Sequence, residues 1–354
     1  MHEIITNLHM HTRYSDGTGS HADIAKAALK AGLDAVIVTD HNVYVQGPEG
    51  YYKEGRSRVL LIIGEEIHDQ DRDPQKNHLL VFGADKELAQ YADDPQDLLN
   101  AVNKAGGLSF IAHPYDPPQP FINEPDIEWD NWEVQGYTGI EIWNGLSEFK
   151  YLINTRLHAL FYAYFPNFLA RTPPPKALKK WDELLLEGKR IVGVCGSDSH
   201  ALHASMGPLH RTLFPYEFHF RNMNNHLLLA EPLSGEESAD RRLIFDAFRD
   251  GHNFIGNDLP APTKGFRFTA QGIQDSVMMG DEIPAQGGVT LQAHLPLLTD
   301  VIRLIKDGEV IKVCKKQQVC THITSEPGVY RIEAYHRYLG RKRGWIFSNP
   351  IYIK

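Results

Sequence analysis

The sequence predicts an α/β fold of buried strands and helices, followed by a small antiparallel β-sandwich. Up to about residue 200, nearly continuous apolar runs alternate with helical stretches, as expected for strands that are buried on both faces. After about residue 236, apolar and polar residues alternate between Asp-Gly, Gly-Gly and Pro-Gly turns, which is typical of antiparallel strands. We therefore divide the chain into residues 1–235 and residues 236–354.

Seven strands are expected in the first part, at 3–8, 34–39, 58–64, 79–83, 108–112, 139–143 and 190–195. A helix is expected at 21–31, where Ser20 can cap its start and Gly32 its end. Further helices are expected at 95–105 and 178–187. Seven strands with intervening helices favour an α/β barrel over a sandwich.

One connection departs from this alternation. Residues 65–77 are polar, contain Asp-Pro and lack the apolar periodicity of a crossover helix. A hairpin-like return is expected there, so the strand at 79–83 would run antiparallel to its neighbour. Glu66 and His78 would then lie at the same rim. Residues 114–136 are rich in proline, aromatic and acidic residues and are expected to form a loop over the barrel mouth.

Composition and charge exclude several classes of protein. No run approaches 18 apolar residues, and the first residues lack a basic and apolar leader, so neither a membrane span nor export is expected. The formal net charge of −9 disfavours nucleic acid as a partner. Cys195, Cys314 and Cys320 form no Cys-x-x-Cys motif and are expected to stay unpaired in a reducing cytoplasm.

The first strand is followed by a His-x-His motif. Residues two apart in a strand face the same side, so His9 and His11 can direct two imidazoles at one point. Imidazole is the commonest metal ligand among side chains, and Asp16 adds a carboxylate in the next turn. Taken alone, the motif also fits histidines that are solvated or hydrogen-bonded in a core.

Imidazoles and carboxylates recur at the ends of the later strands, where the loops of an α/β barrel meet. Each motif alone could be a helix cap or a turn. Buried together, such groups would be costly unless they were paired or bound to metal. Nine residues are therefore candidate ligands for two or three ions: His9, His11, Asp16, His41, Glu66, His78, His113, Asp198 and His200.

The order of these motifs is His-x-His, Asp, Thr-Asp-His, Gly-x-Glu, His, Ala-His-Pro and Ser-Asp-x-His. It resembles the PHP (polymerase and histidinol phosphatase) family over residues 1–203. The resemblance implies a distorted (β/α)7 barrel with a trinuclear centre of zinc, manganese or iron at its C-terminal rim. The family spacing Gly-x-Glu selects Glu66 rather than Glu65. Segments 301–308 and 345–351 resemble the β-rich extension of members related to a carbaryl (aryl carbamate) hydrolase.

The resemblance also implies how the ligands divide. Three sets are implied, with Glu66 and Asp198 as bridging candidates: His9, His11, Glu66 and Asp198 for one ion; Asp16, His41 and His200 for a second; Glu66, His78 and His113 for a third.

The expected function is metal-dependent hydrolysis of a small phosphate mono- or diester by a metal-bridging hydroxide. Asp40 is expected to orient an imidazole and Arg13 to bind a phosphate, while His200 counts as both ligand and catalytic residue. Two alternatives remain open. The same centre could hydrolyse a carboxylic or carbamic ester, or the chain could be a metal-stabilised module that binds a glycan or a protein.

Overall fold

A computed structural model describes residues 1–206 and 209–354, with the side chains of 204–210 left out of the description. It confirms a mixed α/β region followed by a β-rich region. Eight strands precede residue 200: β1 His2–Leu8, β2 Ala35–His41, β3 Gly50–Glu54, β4 Ser57–Ile67, β5 Leu79–Phe82, β6 Leu108–Ile111, β7 Gly139–Asn144 and β8 Val192–Gly196. The seven expected strands are all present, and β3 was not predicted.

Helices connect several of these strands. They are α1 His21–Ala31, α2 Pro95–Ala105, α3 Gly145–Leu152, α4 Arg156–Tyr164 and α5 Pro175–Leu186. The expected bounds of α1 and α2 are confirmed. In α1, the side chain of Ser20 accepts from the backbone N–H of Asp23, and Gly32 ends the helix in the left-handed region.

The strands of this region form one mixed sheet. β1, β2 and β4 are parallel neighbours, as are β6, β7 and β8. Between these two sets, β5 runs antiparallel to both β4 and β6, which confirms the expected hairpin-like return. In that hairpin Glu66 lies opposite Leu80, so Glu66 and His78 are at one rim.

Backbone hydrogen bonds join the ends of the first and last of these strands. The N–H of Ser197 donates to the carbonyl of Leu8 at 3.0 Å, and the N–H of Asp198 donates to that of His9 at 2.7 Å. The N–H of His11 donates to the carbonyl of Ser199 at 3.0 Å. The loops that carry ligands after β1 and β8 are therefore fixed to one another.

The remaining strands are β9 His203–Met206, β10 Leu209–Thr212, β11 Met223–Leu229, β12 Asn253–Asn257, β13 Arg267–Gln271, β14 Ser276–Met278, β15 Glu282–Ile283, β16 Val289–Lys306, β17 Glu309–Thr324, β18 Gly328–Tyr338, β19 Arg341–Ser348 and β20 Ile351–Ile353; the remaining helices are α6 Tyr216–Phe220 and α7 Glu237–Asp250. β11 pairs with β1, and β12 pairs with both β11 and β19, so the sheet continues into the C-terminal region. Ile244 and Phe248 of α7 pack in the same apolar cluster as Leu8.

The expectation of unpaired cysteines is wrong for two of the three. Cys314 and Cys320 form a disulfide with their Cα atoms 6.0 Å apart, and Cys195 is free and buried. Six residues of extended strand would span roughly 20 Å, so β17 must bend between the two cysteines. Lys316 lies in the left-handed region at this bend. Because two of the cysteines are paired, the cysteines no longer support the expectation of a reducing compartment.

None of the described helices combines the length and the apolar character that crossing a membrane requires.

Candidate metal centre

The strand ends bring all nine predicted ligands together. They form four overlapping groups whose ligand atoms lie within 4.8 Å of one another: His11, Asp16, His41 and His200; His9, Glu66 and His113; His9, His11 and Asp198; His41, Glu66 and His78. The parallel strands aim their C-terminal ends at one rim, and the β4–β5 hairpin adds His78 to it.

Glu66 lies at the centre of this cluster and is buried. Its Oε2 is 2.9 Å from His9 Nε2, 3.1 Å from His11 Nε2 and 3.4 Å from His41 Nδ1, and its Oε1 is 2.7 Å from His78 Nδ1 and 2.9 Å from His113 Nε2. Burial alone would raise the pKa of Glu66, but the surrounding imidazoles outweigh it and hold that pKa well below its usual range. Glu66 belongs to two of the four ligand groups, so it would be a ligand shared between them if metal ions were bound.

The neighbouring Glu65 points to the other face of β4, as strand alternation requires. Burial, together with a hydrogen bond to Glu87, raises the pKa of Glu65 to about 10. The geometry therefore places Glu66 inside the cluster and Glu65 outside it.

Asp16 is the solvent-facing member of the cluster, with its side chain 55% exposed. Its Oδ1 is 3.2 Å from His200 Nε2, and its Oδ2 is 3.7 Å from His41 Nε2. The Nδ1–H of His200 donates to the backbone carbonyl of Asp198 at 3.0 Å, which leaves Nε2 for the cluster. This side of the centre is therefore the one that is open to solvent.

Two ring nitrogens indicate that the residues fit divalent metal. His11 Nε2 and His41 Nδ1 are buried and have no hydrogen-bond partner among the described residues, although both face Glu66. A buried polar atom without a partner costs about 1–3 kcal/mol, and a coordinated ion would satisfy both atoms. Mixed imidazole and carboxylate ligation suits zinc, manganese and iron.

Three of the candidate ligands have a backbone conformation that is unusual for residues other than glycine. His9 has φ 64°, His113 has φ 25° and Asp198 has φ 51°. Such conformations cost about 1–3 kcal/mol each and persist where the surrounding structure enforces them, commonly at functional sites. The strand ends are thus bent to direct these side chains inward.

Sequence reasoning did not rank Glu141, which supports the cluster from behind. Its Oε1 is 2.9 Å from His9 Nδ1, and its Oε2 accepts from the N–H of His113 at 2.7 Å and from Asn144 Nδ2 at 2.9 Å. A carboxylate on the far nitrogen of a ligand histidine fixes the ring and raises its basicity. The sequence did offer one sign of this role, because Glu141 is the only carboxylate in the otherwise largely apolar strand β7.

The residues predicted as catalytic have different environments. The carboxylate of Asp40 accepts from the N–H and Oγ1 of Thr12 and from Oγ of Ser15, each at 2.7 Å. Asp40 therefore fixes the loop after β1, and no hydrogen bond from it to the His41 ring occurs among the described residues. Arg13 is exposed, and its side chain makes no hydrogen bond among the described residues.

A cleft of about 150 Å³ opens onto the cluster. Apolar side chains of Ile127, Leu146 and Leu202 line part of it, with Glu124 and Lys150. Glu124 and Ile127 come from the segment 114–136, which confirms the expected loop over the rim. Lys150 was not predicted, because it lies on a helix that only the tertiary fold brings to the cleft.

Comparison with known proteins gives a match to one family model and a distant sequence relative. Residues 7–142 match the PHP domain. An uncharacterized protein of Methanocaldococcus jannaschii is 26% identical over 141 residues, which are 36% of this chain and 79% of that protein. The match to the domain contains seven of the nine candidate ligands and ends before the other two, Asp198 and His200.

Two solved structures are also similar. A two-domain protein containing a predicted PHP-like metal-dependent phosphoesterase, from Bacteroides vulgatus, aligns over 99% of this chain and 95% of its own, with 17% identity and a TM-score of 0.43. An amidohydrolase from Chromobacterium violaceum, with bound sulfate and no metal, aligns over 60% of this chain and 92% of its own, with 14% identity and a TM-score of 0.28.

Proposed function

We propose that this chain, in which residues 7–142 match the PHP domain, is a metal-dependent hydrolase that cleaves a small phosphate mono- or diester. One observation carries the proposal: Glu66 lies in contact with five imidazoles, and the His11 and His41 nitrogens that face it are buried without hydrogen-bond partners among the described residues. We also propose that the strands form a distorted (β/α)7 barrel over residues 1–235, followed by a β-sandwich over residues 236–354.

The proposed centre holds two or three ions of zinc, manganese or iron. The proposed ligands are His9, His11, Glu66 and Asp198 for one ion, Asp16, His41 and His200 for a second, and Glu66, His78 and His113 for a third. When bound, such ions activate water and neutralise the charge that develops on the ester oxygens.

The residues of the chain itself have supporting tasks in this proposal. Glu141 orients His9, and Asp40 fixes the loop that carries His11 and Asp16. His200 lies beside the exposed Asp16, at the solvent side of the cluster, and is the proposed catalytic residue there. Arg13 is free to bind a substrate only if its loop turns toward the cleft.

The cleft also favours a second candidate, hydrolysis of a carboxylic or carbamic ester. Ile127, Leu146 and Leu202 give the cleft an apolar wall, and Lys150, its one lysine among the described residues, already contacts two carboxylates. Phosphate dianions usually require several convergent cations, whereas a neutral ester does not.

Elemental analysis combined with a substrate panel tests both candidates. The protein is loaded with each metal and assayed with p-nitrophenyl phosphate, bis(p-nitrophenyl) phosphate and p-nitrophenyl acetate. We expect phosphate-ester hydrolysis that a chelator abolishes and added metal restores. Metal-loaded protein that hydrolyses only the acetate would favour the second candidate, and protein that hydrolyses none of them would overturn the proposal.

A further inference from the structure

One lysine lies inside the cleft, beside the candidate metal ligands. The side chain of Lys150, on α3, is only 2% exposed. Its Nζ is 2.9 Å from Oδ1 of Asp116 and 3.3 Å from Oε2 of Glu124. Burial lowers the pKa of Lys150, but Asp116 outweighs it and the pKa lies above its ordinary value. An ammonium group that is charged at neutral pH therefore lines the cleft.

The two carboxylates around Lys150 are not equivalent. Asp116 is fully buried, and its second oxygen accepts from Ser147 Oγ at 2.6 Å, so it is a fixed partner. Glu124 is 43% exposed and no protein hydrogen bond to its carboxylate is present among the described residues. Asp116 alone neutralises Lys150, so Glu124 is a surplus negative charge at the cleft.

The loop that carries Glu124 is fastened to α3. Gln119 and Glu124 exchange two backbone hydrogen bonds of 2.9 and 3.2 Å across the tip of the loop. The side-chain Nε2 of Gln119 donates to the carbonyls of Lys150 and Ile153 at 2.9 and 2.8 Å. These bonds hold the backbone of Glu124 next to α3 and do not involve its carboxylate.

We propose that Lys150 binds an oxyanion of the substrate, and that Glu124 occupies this place until the substrate displaces it. An ammonium group has three donors, and a phosphate oxygen can take the one that now faces Glu124. The inference rests on the proposed function in that the same anion would also reach the metal centre. It predicts a substrate with a phosphate group, for which Lys150 supplies a cation that the sequence motifs lack.

The test is calorimetric titration of metal-loaded protein with inorganic phosphate. We expect Lys150→Met to weaken phosphate binding by about tenfold or more, because a charge-assisted hydrogen bond is lost. Glu124→Gln should tighten it by about threefold to tenfold, because a competing negative charge is removed while the loop stays fastened. Lys176→Met, which removes an exposed lysine near Tyr115, is the control of equal charge change and should bind like the wild type.

Lys150→Met leaves Asp116 without its cation, so Lys150→Arg and Glu124→Gln provide variants that keep the buried charge. Metal content is measured for every variant and should match the wild type. Unchanged phosphate affinity in Glu124→Gln, or equal weakening in Lys150→Met and Lys176→Met, would overturn the proposal. The titration measures binding and needs no turnover. Phosphate binding by Lys150 and the proposed hydrolysis can therefore fail separately, and the substrate panel tests the hydrolysis.

Discussion

The carboxylate of Glu141 lies 2.9 Å from Nδ1 of His9, and Glu66 lies 2.9 Å from Nε2 of the same ring. His9 is thus held between two buried carboxylates, one at the centre of the ligand cluster and one behind it. Burial lowers the pKa of His9, but Glu66, Glu141 and Asp198 outweigh it and raise that pKa well above its ordinary value. The pair fixes which nitrogen of His9 can serve as a ligand.

Replacing Glu141 should weaken metal binding without unfolding the protein. In Glu141→Gln the neutral side chain keeps its shape but no longer polarises His9, so we expect metal affinity to fall by about 10–100-fold. Competition with a chromogenic chelator measures this. Glu65→Gln is the matched control, since that buried carboxyl lies on the same rim but faces away from the cluster. Equal metal affinity in the two variants would contradict the role of Glu141.

Removing the His-x-His pair should empty the centre. His9→Ala combined with His11→Ala deletes two imidazoles that face Glu66, so we expect bound metal to fall to background and hydrolysis to be abolished. Elemental analysis and the ester assay check this. His252→Ala removes a histidine that pairs with Asp281 outside the cluster and should retain both. Full activity in the double variant would refute the ligand assignment.

A methyl group at Gly196 should disturb the support of His9. A Cβ at this position would lie 1.8 Å from Glu141 Oε1 and 2.7 Å from His9 Cβ. We expect Gly196→Ala to lower the free energy of unfolding by about 1–3 kcal/mol and to reduce metal content. Thermal melting and elemental analysis measure the two effects. In Gly272→Ala the nearest atom is the flexible end of Ile283 at 3.2 Å, so this control should lose little.

His226 should make stability depend on pH. Its Nδ1 is 2.8 Å from Glu3 and its Nε2 is 2.9 Å from Thr263. Burial lowers the pKa of His226, but Asp258 and Glu3 outweigh it and raise the pKa above its ordinary value. The folded state therefore favours the protonated ring, and this stabilisation is complete below about pH 6.5 and is lost as the pH rises through the raised pKa.

We therefore expect the difference in melting temperature between the wild type and His226→Gln to be larger at pH 6 than at pH 9. The comparison uses chelator-treated protein, so that metal binding does not add its own pH dependence. A difference that stays constant over this range would show that the ring does not gain a proton on folding.

The bend in β17 should depend on its disulfide. Cys314→Ser combined with Cys320→Ser should lower the free energy of unfolding by about 2 kcal/mol, because the unfolded chain is no longer closed into a short loop. Urea denaturation measures the loss, and metal content should not change. Reductant should destabilise the wild type but not the double variant. Quantitative alkylation of both thiols without reductant would contradict the pairing.

Features that depend on neighbouring residues were predictable from the sequence. The seven strands were found because each is a buried apolar run, and the ligands because each lies within a few residues of a strand end. The β4–β5 hairpin followed from the polar connection 65–77, which cannot form a crossover helix. Glu66 was separable from Glu65 by the family spacing, and its place in the cluster agrees with that choice.

Features that depend on distant packing were not predictable. Lys150 reaches the cleft only because α3 folds back over the rim, and nothing in its local sequence marks it as different from other lysines. β11 was not predicted, because it pairs with β1 across more than 200 residues of sequence. Asp40 was assigned to the ring beside it in the sequence, whereas its carboxylate binds Thr12 and Ser15 of another loop.

The hydrogen bonds between the ends of β1 and β8 also set an order of assembly. Ser197 donates to the carbonyl of His9 across 188 positions of the chain, and closing so long a loop costs conformational entropy. While the chain is being synthesised, His9 and His11 must wait for Asp198 and His200 before their cluster can close. A metal ion bound at that stage would link the ligands that are synthesised first to those that are synthesised last.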